Sequence, residues 1–247
     1  MKKFLLFLLL PLCLFVAQSP AAPLPDGCEQ AIVGAADGWN SSHVVLSLLE
    51  KRGGQWQMVK GPFSGRLGEA GLVWGLGRHP LPKGATVKRE GDDRSPAGVF
   101  DVGGIWATQS DLKFNRRIPF VKVGPSDLWV SDVKSPLYNR HVRLDHPART
   151  SWELNEQMKL NDHAHSIKLL ICHNTENVQG CPIPGRGSSI FFHIWRGAGK
   201  YPTAGCTTMS EENLRAVLAW LDPKKKPVYI LMPRDEYMRY RSAWGLP

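Results

Sequence analysis

The chain has no internal repeat, no low-complexity tract and no Cys-x-x-Cys pair among its five cysteines. Structural zinc sites usually take ligands from such closely spaced pairs, so a zinc-binding domain is disfavoured and no metal is expected. After residue 16, no apolar run approaches the ~20 residues that a membrane-spanning helix needs. With 43% hydrophobic residues, the chain still has enough apolar side chains for an ordinary globular core.

The first 22 residues have the layout of a secretory signal. Lys2 and Lys3 give a positive start, residues 4–16 are apolar, and residues 19–22 are small residues and a proline. The apolar run is too short to cross a bilayer, which separates a cleaved signal from a membrane anchor. We therefore predict a signal peptide at 1–22 and an exported protein, located in the periplasm of a Gram-negative source.

Basic residues outnumber acidic ones, with 31 Lys and Arg against 22 Asp and Glu. A basic exported protein suits an acidic cell-wall polymer, and export argues against nucleic acid as a partner. We therefore expect a wall polymer as the partner and no nucleic acid. Nothing in the sequence requires a cofactor or more than a monomer.

Four cysteines follow the predicted signal: Cys28, Cys172, Cys181 and Cys206. An even number of cysteines in an exported protein favours disulfides. Cys172 and Cys181 are close in sequence and are followed by two prolines, so we expect a bridge that closes this loop. Sequence alone does not fix the pairing. If these two form a disulfide, Cys206 is a free thiol unless it pairs with Cys28.

The pattern of short apolar runs between turn residues predicts a mainly β fold with a few helices, of the α+β class. The 24 glycines and 19 prolines are scattered along the chain, as in a turn-rich β architecture. Helices are predicted after Ser210, which is a good N-cap, and over 151–160. The predicted strands cover 44–49, 55–59, 72–74, 120–123, 167–171, 190–194 and 228–232.

No linker-like stretch divides the chain after the signal. We therefore predict a short N-terminal segment at 23–42, one catalytic domain at 43–235 and a C-terminal tail at 236–247.

The most informative passage places His193 at the end of an apolar strand and Cys206 directly after Gly205. A thiol becomes a good nucleophile when a nearby imidazole takes its proton. Gly205 lets a substrate carbonyl approach the backbone closely, where neighbouring N–H groups, with that of Cys206, are expected to bind an oxyanion. A bare Cys and His pair is weak evidence by itself, because both residues are often simply buried.

Three segments together resemble one family. Phe191-Phe192-His193 followed by Pro202-Thr203-Ala204-Gly205-Cys206 is similar to the signature of L,D-transpeptidase (YkuD) catalytic domains, in the Pro-Thr-Ala-Gly-Cys subgroup. Residues 89–100 and 129–139 resemble two further stretches of the family in the expected order. The resemblance spans about 70–233 and implies a YkuD-like β-sandwich or barrel.

The resemblance implies a peptidoglycan L,D-transpeptidase acting on peptide stems. In this mechanism, Cys206 attacks the carbonyl at the L,D bond of a tetrapeptide stem and releases D-Ala, which leaves the stem bound as a thioester. An amine of another stem then completes the cross-link. His193 acts as the base and is oriented by a backbone carbonyl, that of Ile194. Thr203, Trp195 and Arg94 are assigned to substrate binding.

Two departures from the family leave alternatives open. Many members have arginine where this chain has Thr208, and the subgroup often has Tyr-Asn where this chain has His173-Asn174. The same Cys and His site suits an L,D-carboxypeptidase, which uses water, or an amidase that cleaves cross-links or wall-bound lipoproteins. A non-catalytic wall-binding domain with a buried cysteine is the remaining reading. No role is assigned to His141, His146, His163 and His165, and Asp92 is expected in a turn.

Overall fold

The computed structural model describes residues 23–176 and 180–247. The predicted signal peptide at 1–22 lies outside these residues. Within them, no helix combines the length and the apolar character needed to cross a membrane. The strands are β1 (Gln30–Ala36), β2 (His43–Arg52), β3 (Gln55–Arg66), β4 (Leu72–Trp74), β5 (Ser95–Ala107), β6 (Phe120–Lys122), β7 (Asp127–Trp129), β8 (His141–Arg143), β9 (Ile167–Ile171), β10 (Phe191–Ile194), β11 (Thr207–Met209) and β12 (Val228–Pro233).

The main sheet closes into a barrel. Its strands follow the order β12-β1-β2-β3-β11-β10-β9-β5, and β5 pairs back onto β12. β1 runs parallel to β12 and β10 runs parallel to β11, whereas most other neighbours in the ring are antiparallel. β4 and β6 attach to β5 outside this ring. The predicted mainly β fold is confirmed.

The barrel interior holds the principal core. In β2, Val44, Leu46 and Leu48 are buried while the residues between them are more exposed, as expected for a strand with one face inward. Tyr229 and Phe192 meet at the centre with ring centroids 4.6 Å apart. The Tyr229 hydroxyl, which would be costly to bury alone, shares a 3.0 Å hydrogen bond with the Thr207 hydroxyl.

A small lobe covers part of the outer face of the barrel. This capping lobe, residues 123–160, contains the two-stranded sheet of β7 and β8 and the helix α1, Ser151–Glu156. Trp129 of the lobe packs edge-on against Phe191 of β10, with ring centroids 4.8 Å apart. A second hydrophobic cluster, separate from the barrel core, therefore joins the lobe to β10.

Two other α-helices lie among the described residues. α2, Glu211–Trp220, begins after Ser210, whose hydroxyl accepts a hydrogen bond from the Asn213 N–H, and this prediction is confirmed. α3, Arg234–Arg241, follows β12. α1 is shorter than the predicted 151–160, because Gln157 leaves the helix and forms a bridge with Leu128 of β7.

Residues of both predicted flanking segments take part in the fold. β1, within the supposed N-terminal segment 23–42, lies between β12 and β2 and is part of the ring. At the other end, residues 236–247 were expected to form a tail. Trp244 and Leu246 are instead buried, and the Trp244 ring stacks on Tyr240 at 4.3 Å. Both flanking segments contribute to the folded unit that contains the site.

Candidate active site

Strand register brings three reactive side chains to the outer face of the barrel. His193 of β10 pairs with Thr208 of β11 on one side and with Lys168 of β9 on the other. Cys206 precedes Thr208 by two residues, and side chains two apart along an extended chain point to the same face. Cys206, His193 and Lys168 therefore share the face that the capping lobe covers.

The Cys206 thiol is held at the edge of β10. Its S–H donates to the Ser189 carbonyl at 3.4 Å, and its sulfur accepts the Phe191 N–H at 3.4 Å. Ser189 has a positive φ of 57°, which is uncommon for a residue with a side chain and turns its carbonyl toward the sulfur. The thiol is thus positioned by backbone groups on two sides.

The loop before Cys206 is organised by Thr203. The Thr203 hydroxyl donates to the Cys206 carbonyl at 2.7 Å and accepts the Gly205 N–H at 3.0 Å. Gly205 has a φ of 142°, and a side-chain carbon there would lie 3.0 Å from the Arg94 carbonyl oxygen. The Gly205 N–H is therefore turned into the loop and does not face a substrate. The Cys206 N–H has no acceptor among the described residues and is therefore available to a bound oxygen atom.

His193 is a neutral ring held by its neighbours. Its Nδ1 lies 2.9 Å from the Ile194 carbonyl, which can only accept, so Nδ1 carries the proton and Nε2 keeps its lone pair. Burial lowers the pKa of His193 to about 4, although the hydrogen bond to the Ile194 carbonyl favours the protonated ring. The expected orienting carbonyl is thus in place. No hydrogen bond joins the Cys206 thiol to this ring, as is common in sites without substrate.

Positive charge surrounds the thiol. Burial raises the pKa of Cys206, while the Phe191 N–H and the charges of Lys168, Lys88 and Arg196 lower it. Lys88 is neutralised by Asp92 at 2.6 Å and also donates to the Arg94 carbonyl at 2.7 Å. Because burial is the largest of these effects, the resting cysteine is a thiol that needs a base to become a nucleophile.

Barrel and lobe together enclose a cavity of about 190 Å³. Cys206, His193 and Lys168 line it from the barrel side, and Trp129 and Glu156 line it from the lobe side. The remaining lining residues are Ser131, Asn155, Gln157, Met158, Leu160, His165, Ser189 and Phe191.

The wall beside Ser189 depends on Asn139, at the end of the second family-like segment. Its Oδ1 accepts the Trp129 Nε1–H at 2.9 Å and the Ser189 N–H at 3.1 Å. Its Nδ2 donates to the carbonyls of His173 and Asn174. One buried amide therefore links the lobe, the strand end that orients the thiol and the turn after β9.

The predicted site residues are not all brought together. Thr203 supports the cysteine loop but does not line the cavity. Trp195 lies outside the cavity. Its ring packs so closely on Gly199 that a Cβ atom at position 199 would lie 2.8 Å from the ring. The Arg94 side chain donates to the Leu72 carbonyl at 3.0 Å in a separate cleft, and Asp92 accepts the Arg94 N–H in the expected turn. The assignment of Trp195 and Arg94 to substrate binding stays a prediction without a contact in this cavity.

Cys172 and Cys181, the pair expected to form a bridge, are separate thiols in this structure, and the bridge stays a prediction. Cys172 is buried at the end of β9, whereas Cys181 is exposed. The Asn174 amide closes this loop. Its Oδ1 accepts the Ile183 N–H at 2.8 Å, and its Nδ2 donates to the Ile183 carbonyl at 3.0 Å. Across the described ranges, no three His, Cys, Asp or Glu side chains are grouped as metal ligands.

Two residues of the site were missed in the sequence. His165 was given no role, yet its ring stacks on that of His193 with centroids 4.4 Å apart. Lys168 was read only as part of a strand, yet it lines the cavity. The available signal was the placement of a lysine inside an otherwise apolar strand, IKLLI. A charged residue in such a run is uncommon unless it faces a functional site.

Comparison with known proteins places this site in a family. A family model described as the L,D-transpeptidase catalytic domain, YkuD, matches residues 65–230, which is more than half of the chain. No curated protein matches the chain. Among solved structures, that of Bdellovibrio bacteriovorus Bd1075 matches at 11% identity with a TM-score of 0.40. The match covers 88% of this chain and 54% of that one, so the chain spans about half the length of that structure.

Proposed function

The chain belongs to the L,D-transpeptidase (YkuD) family, and on this premise we propose that it forms peptidoglycan cross-links by acyl transfer through a Cys206 thioester. The acyl donor is a tetrapeptide stem, and D-Ala is released. We further propose that residues 23–247 act after export as one catalytic unit. The predicted signal at 1–22 would direct this export.

One observation carries the proposal: Cys206 and His193 line the same small cavity, and the thiol is fixed between a backbone acceptor and a backbone donor. Fixed geometry matters because a nucleophile held close to its target loses little entropy on reaching the transition state. The neutral His193 ring, with Nε2 unprotonated, suits the role of general base.

In the first half-reaction, His193 Nε2 takes the thiol proton and the Cys206 sulfur attacks the carbonyl carbon at the L,D bond of the stem. A C–S bond forms, and the oxyanion of the tetrahedral intermediate is held by the Cys206 N–H. The intermediate then collapses. The C–N bond to D-Ala breaks as protonated His193 gives its proton to the leaving nitrogen.

In the second half-reaction, an amine of another stem attacks the thioester. His193 takes a proton from the attacking nitrogen, the C–S bond breaks, and the proton passes to the departing sulfur to restore the thiol. When water attacks instead of the amine, the product is a trimmed tripeptide, which is the L,D-carboxypeptidase reaction. The two outcomes share every residue named here and differ only in the acceptor.

The proposal is tested by incubating residues 23–247 with muropeptides that carry tetrapeptide stems and resolving the products by mass. Cross-linked dimers lacking one D-Ala are expected with the intact protein and are not expected with Cys206→Ala. Cys181→Ala is a matched control, because it removes an exposed thiol that lies outside the cavity. This variant is expected to retain full activity.

The products distinguish the alternatives. Trimmed tripeptides without dimers would replace the transpeptidase by a carboxypeptidase. Cleavage of pre-formed dimers, with tetrapeptides untouched, would assign a cross-link-cleaving amidase. Unchanged muropeptides in every sample, from protein that melts cooperatively and has a free thiol, would overturn the proposed chemistry.

A further inference from the structure

Lys168 is a buried cation inside the catalytic cavity. Its relative exposure is 6%, and it lines the same space as Cys206 and His193. The cost of removing an ammonium from water is high, so a buried lysine normally has a carboxylate partner. Lys168 therefore needs an explanation that packing alone does not give.

Lys168 has no ion-pair partner among the described residues, and Asp162, the carboxylate whose charge acts on it, is paired with Arg196 instead. Its ammonium donates one hydrogen bond, to the Met158 carbonyl at 2.9 Å. Across residues 23–176 and 180–247, no carboxylate lies within salt-bridge distance of it. An ammonium has three N–H donors, so two remain for a ligand. Burial lowers the pKa of Lys168 to about 8, which still leaves the group mostly protonated at neutral pH.

The carboxylate in the same cavity does not serve as the partner. Glu156 lies on the lobe side, where its Oε2 accepts the Ser131 N–H at 2.7 Å and the Ser131 hydroxyl at 2.8 Å. Glu156 is thus committed to the lobe, whereas Lys168 sits on the barrel beside His193. The Lys168 side chain extends from the barrel to the Met158 carbonyl of the lobe but forms no ion pair with Glu156.

The position of Lys168 relative to the reacting atoms limits what it can bind. It lies directly across from His193 in the β9–β10 ladder, and neighbouring strands are ~4.8 Å apart. His193 must reach both the sulfur and the leaving nitrogen. Lys168 lines the same small cavity as Cys206, and its charge acts on the thiol, so a group bound to Lys168 while the scissile bond lies at Cys206 shares this cavity with the leaving nitrogen.

We infer that Lys168 binds the free terminal carboxylate of the leaving residue. The enzyme would then select donor stems that carry a single residue after the scissile bond. In an amino acid leaving group, only the α-carbon separates this carboxylate from the leaving nitrogen. A cavity of about 190 Å³ is small beside ordinary ligand pockets of ~300–1,000 Å³, which favours a single leaving residue over a long leaving chain. This inference rests on the proposed function and names its donor.

The test measures binding without turnover. Cys206→Ala protein is titrated by calorimetry with two tetrapeptides, one ending in D-Ala and one ending in D-alaninamide. Both peptides keep their other carboxylates, so the comparison isolates the terminal one. We expect the acid to bind about 10- to 100-fold more tightly, as for a charge-assisted contact in a buried site. Adding Lys168→Met is expected to bring the two Kd values to within about twofold.

Two control variants separate a direct contact from general electrostatics. Lys159→Met removes an exposed lysine next to Met158, and Glu156→Gln removes the carboxylate that the lobe contributes to the cavity. Both are expected to keep the preference for the acid. A collapse of the preference in Lys159→Met would overturn the assignment, because long-range charge alone would then explain it.

The outcomes also separate this inference from the proposed function. Equal affinity for acid and amide, with Lys168 in place, overturns the inference and leaves the transpeptidase proposal standing. This comparison of acid and amide uses protein with Lys168 unchanged, so the test remains valid even when the Lys168→Met protein folds poorly. Failure of the Cys206→Ala protein to bind either peptide would remove the proposed function together with the inference.

Discussion

The ring of His165 stacks on the ring of the candidate base His193, with planes 29° from parallel and centroids 4.4 Å apart. Burial lowers the pKa of His165 to about 3, and the charge of a protonated His193 would lower it further. Both rings are therefore neutral at pH 7. His193 is held on one face by this stack and at Nδ1 by the Ile194 carbonyl, so its free nitrogen has a fixed direction.

Removal of the stacked ring is expected to slow catalysis. In His165→Ala, His193 loses its flat support and samples unproductive orientations, so kcat should fall roughly 10- to 100-fold with KM little changed. His165→Phe keeps a flat ring and should retain most of the activity. Steady-state kinetics of D-Ala release measure both. Equal loss in the two variants would show that the imidazole itself, and not its flat surface, is required.

The Thr203 hydroxyl is expected to be needed for the shape of the cysteine loop. Thr203→Val removes one donor and one acceptor and leaves the Gly205 N–H and the Cys206 carbonyl without these partners. We expect a loss of about 1–3 kcal/mol in the free energy of unfolding and a marked fall in kcat. Thr203→Ser keeps the hydroxyl and should behave like the unaltered protein in urea unfolding. A fully stable and active valine variant would contradict this account.

His173 is expected to make the protein acid-sensitive. Its Nδ1 accepts the Leu76 N–H at 3.0 Å and its Nε2 donates to the Arg186 carbonyl, an arrangement that only the neutral ring allows. Burial lowers the pKa of His173 to about 3. An unfolded chain protonates this ring near pH 6.5, so the free energy of unfolding falls as the pH drops below 6.5 and continues to fall until about pH 3.

At pH 5.5 this effect is about 1 kcal/mol for one histidine, and carboxylates are still ionised. His173→Gln can keep one acceptor and one donor but does not titrate. Urea unfolding at pH 7.5 and pH 5.5 should therefore show a smaller loss of stability in the variant, by about 1 kcal/mol. Identical losses in both proteins would mean that His173 does not contribute.

Asn139 is expected to connect lobe stability to thiol position. Asn139→Ala removes the acceptor shared by Trp129 and Ser189 and two donated bonds, so the free energy of unfolding should fall by about 3 kcal/mol. Release of Ser189 should also change the rate of Cys206 alkylation, measured in a Cys181→Ala background. Asn139→Asp keeps the shared acceptor, so its free energy of unfolding should lie between those of the unaltered protein and the alanine variant. An unchanged alkylation rate in the alanine variant would uncouple the lobe from the thiol.

The candidate pair, His193 and Cys206, can be predicted from the sequence because the pattern that indicates it is local. His193 and Cys206 each lie in a short motif, and the apolar runs that became β2, β9, β10 and β12 alternate or are continuously buried, as their places in the barrel require. α2 could also be predicted from the sequence, because its N-cap Ser210 and its apolar stripe are features of the helix segment itself.

The remainder depends on pairing between distant segments. β1 reads AIVGAA, too rich in small residues to resemble a strand, and becomes one because β12 and β2 lie on either side of it. β5 begins at Ser95-Pro96 in a stretch that looks like a turn. Lys168 and His165 enter the site only through the pairing of β9 with β10 and the turn before β9. No local pattern encodes that proximity.

The site lies on the outside of the barrel, under a lobe that adds its own wall. Cys206 and His193 are therefore borne by one part of the fold, and much of the surface beside them by another. Exchange of residues 123–160 for a different insertion would change that surface, and it would also remove the Asn139 amide that holds Ser189 beside the thiol. A replacement lobe must therefore supply its own acceptor for the Ser189 N–H if the thiol is to keep its position.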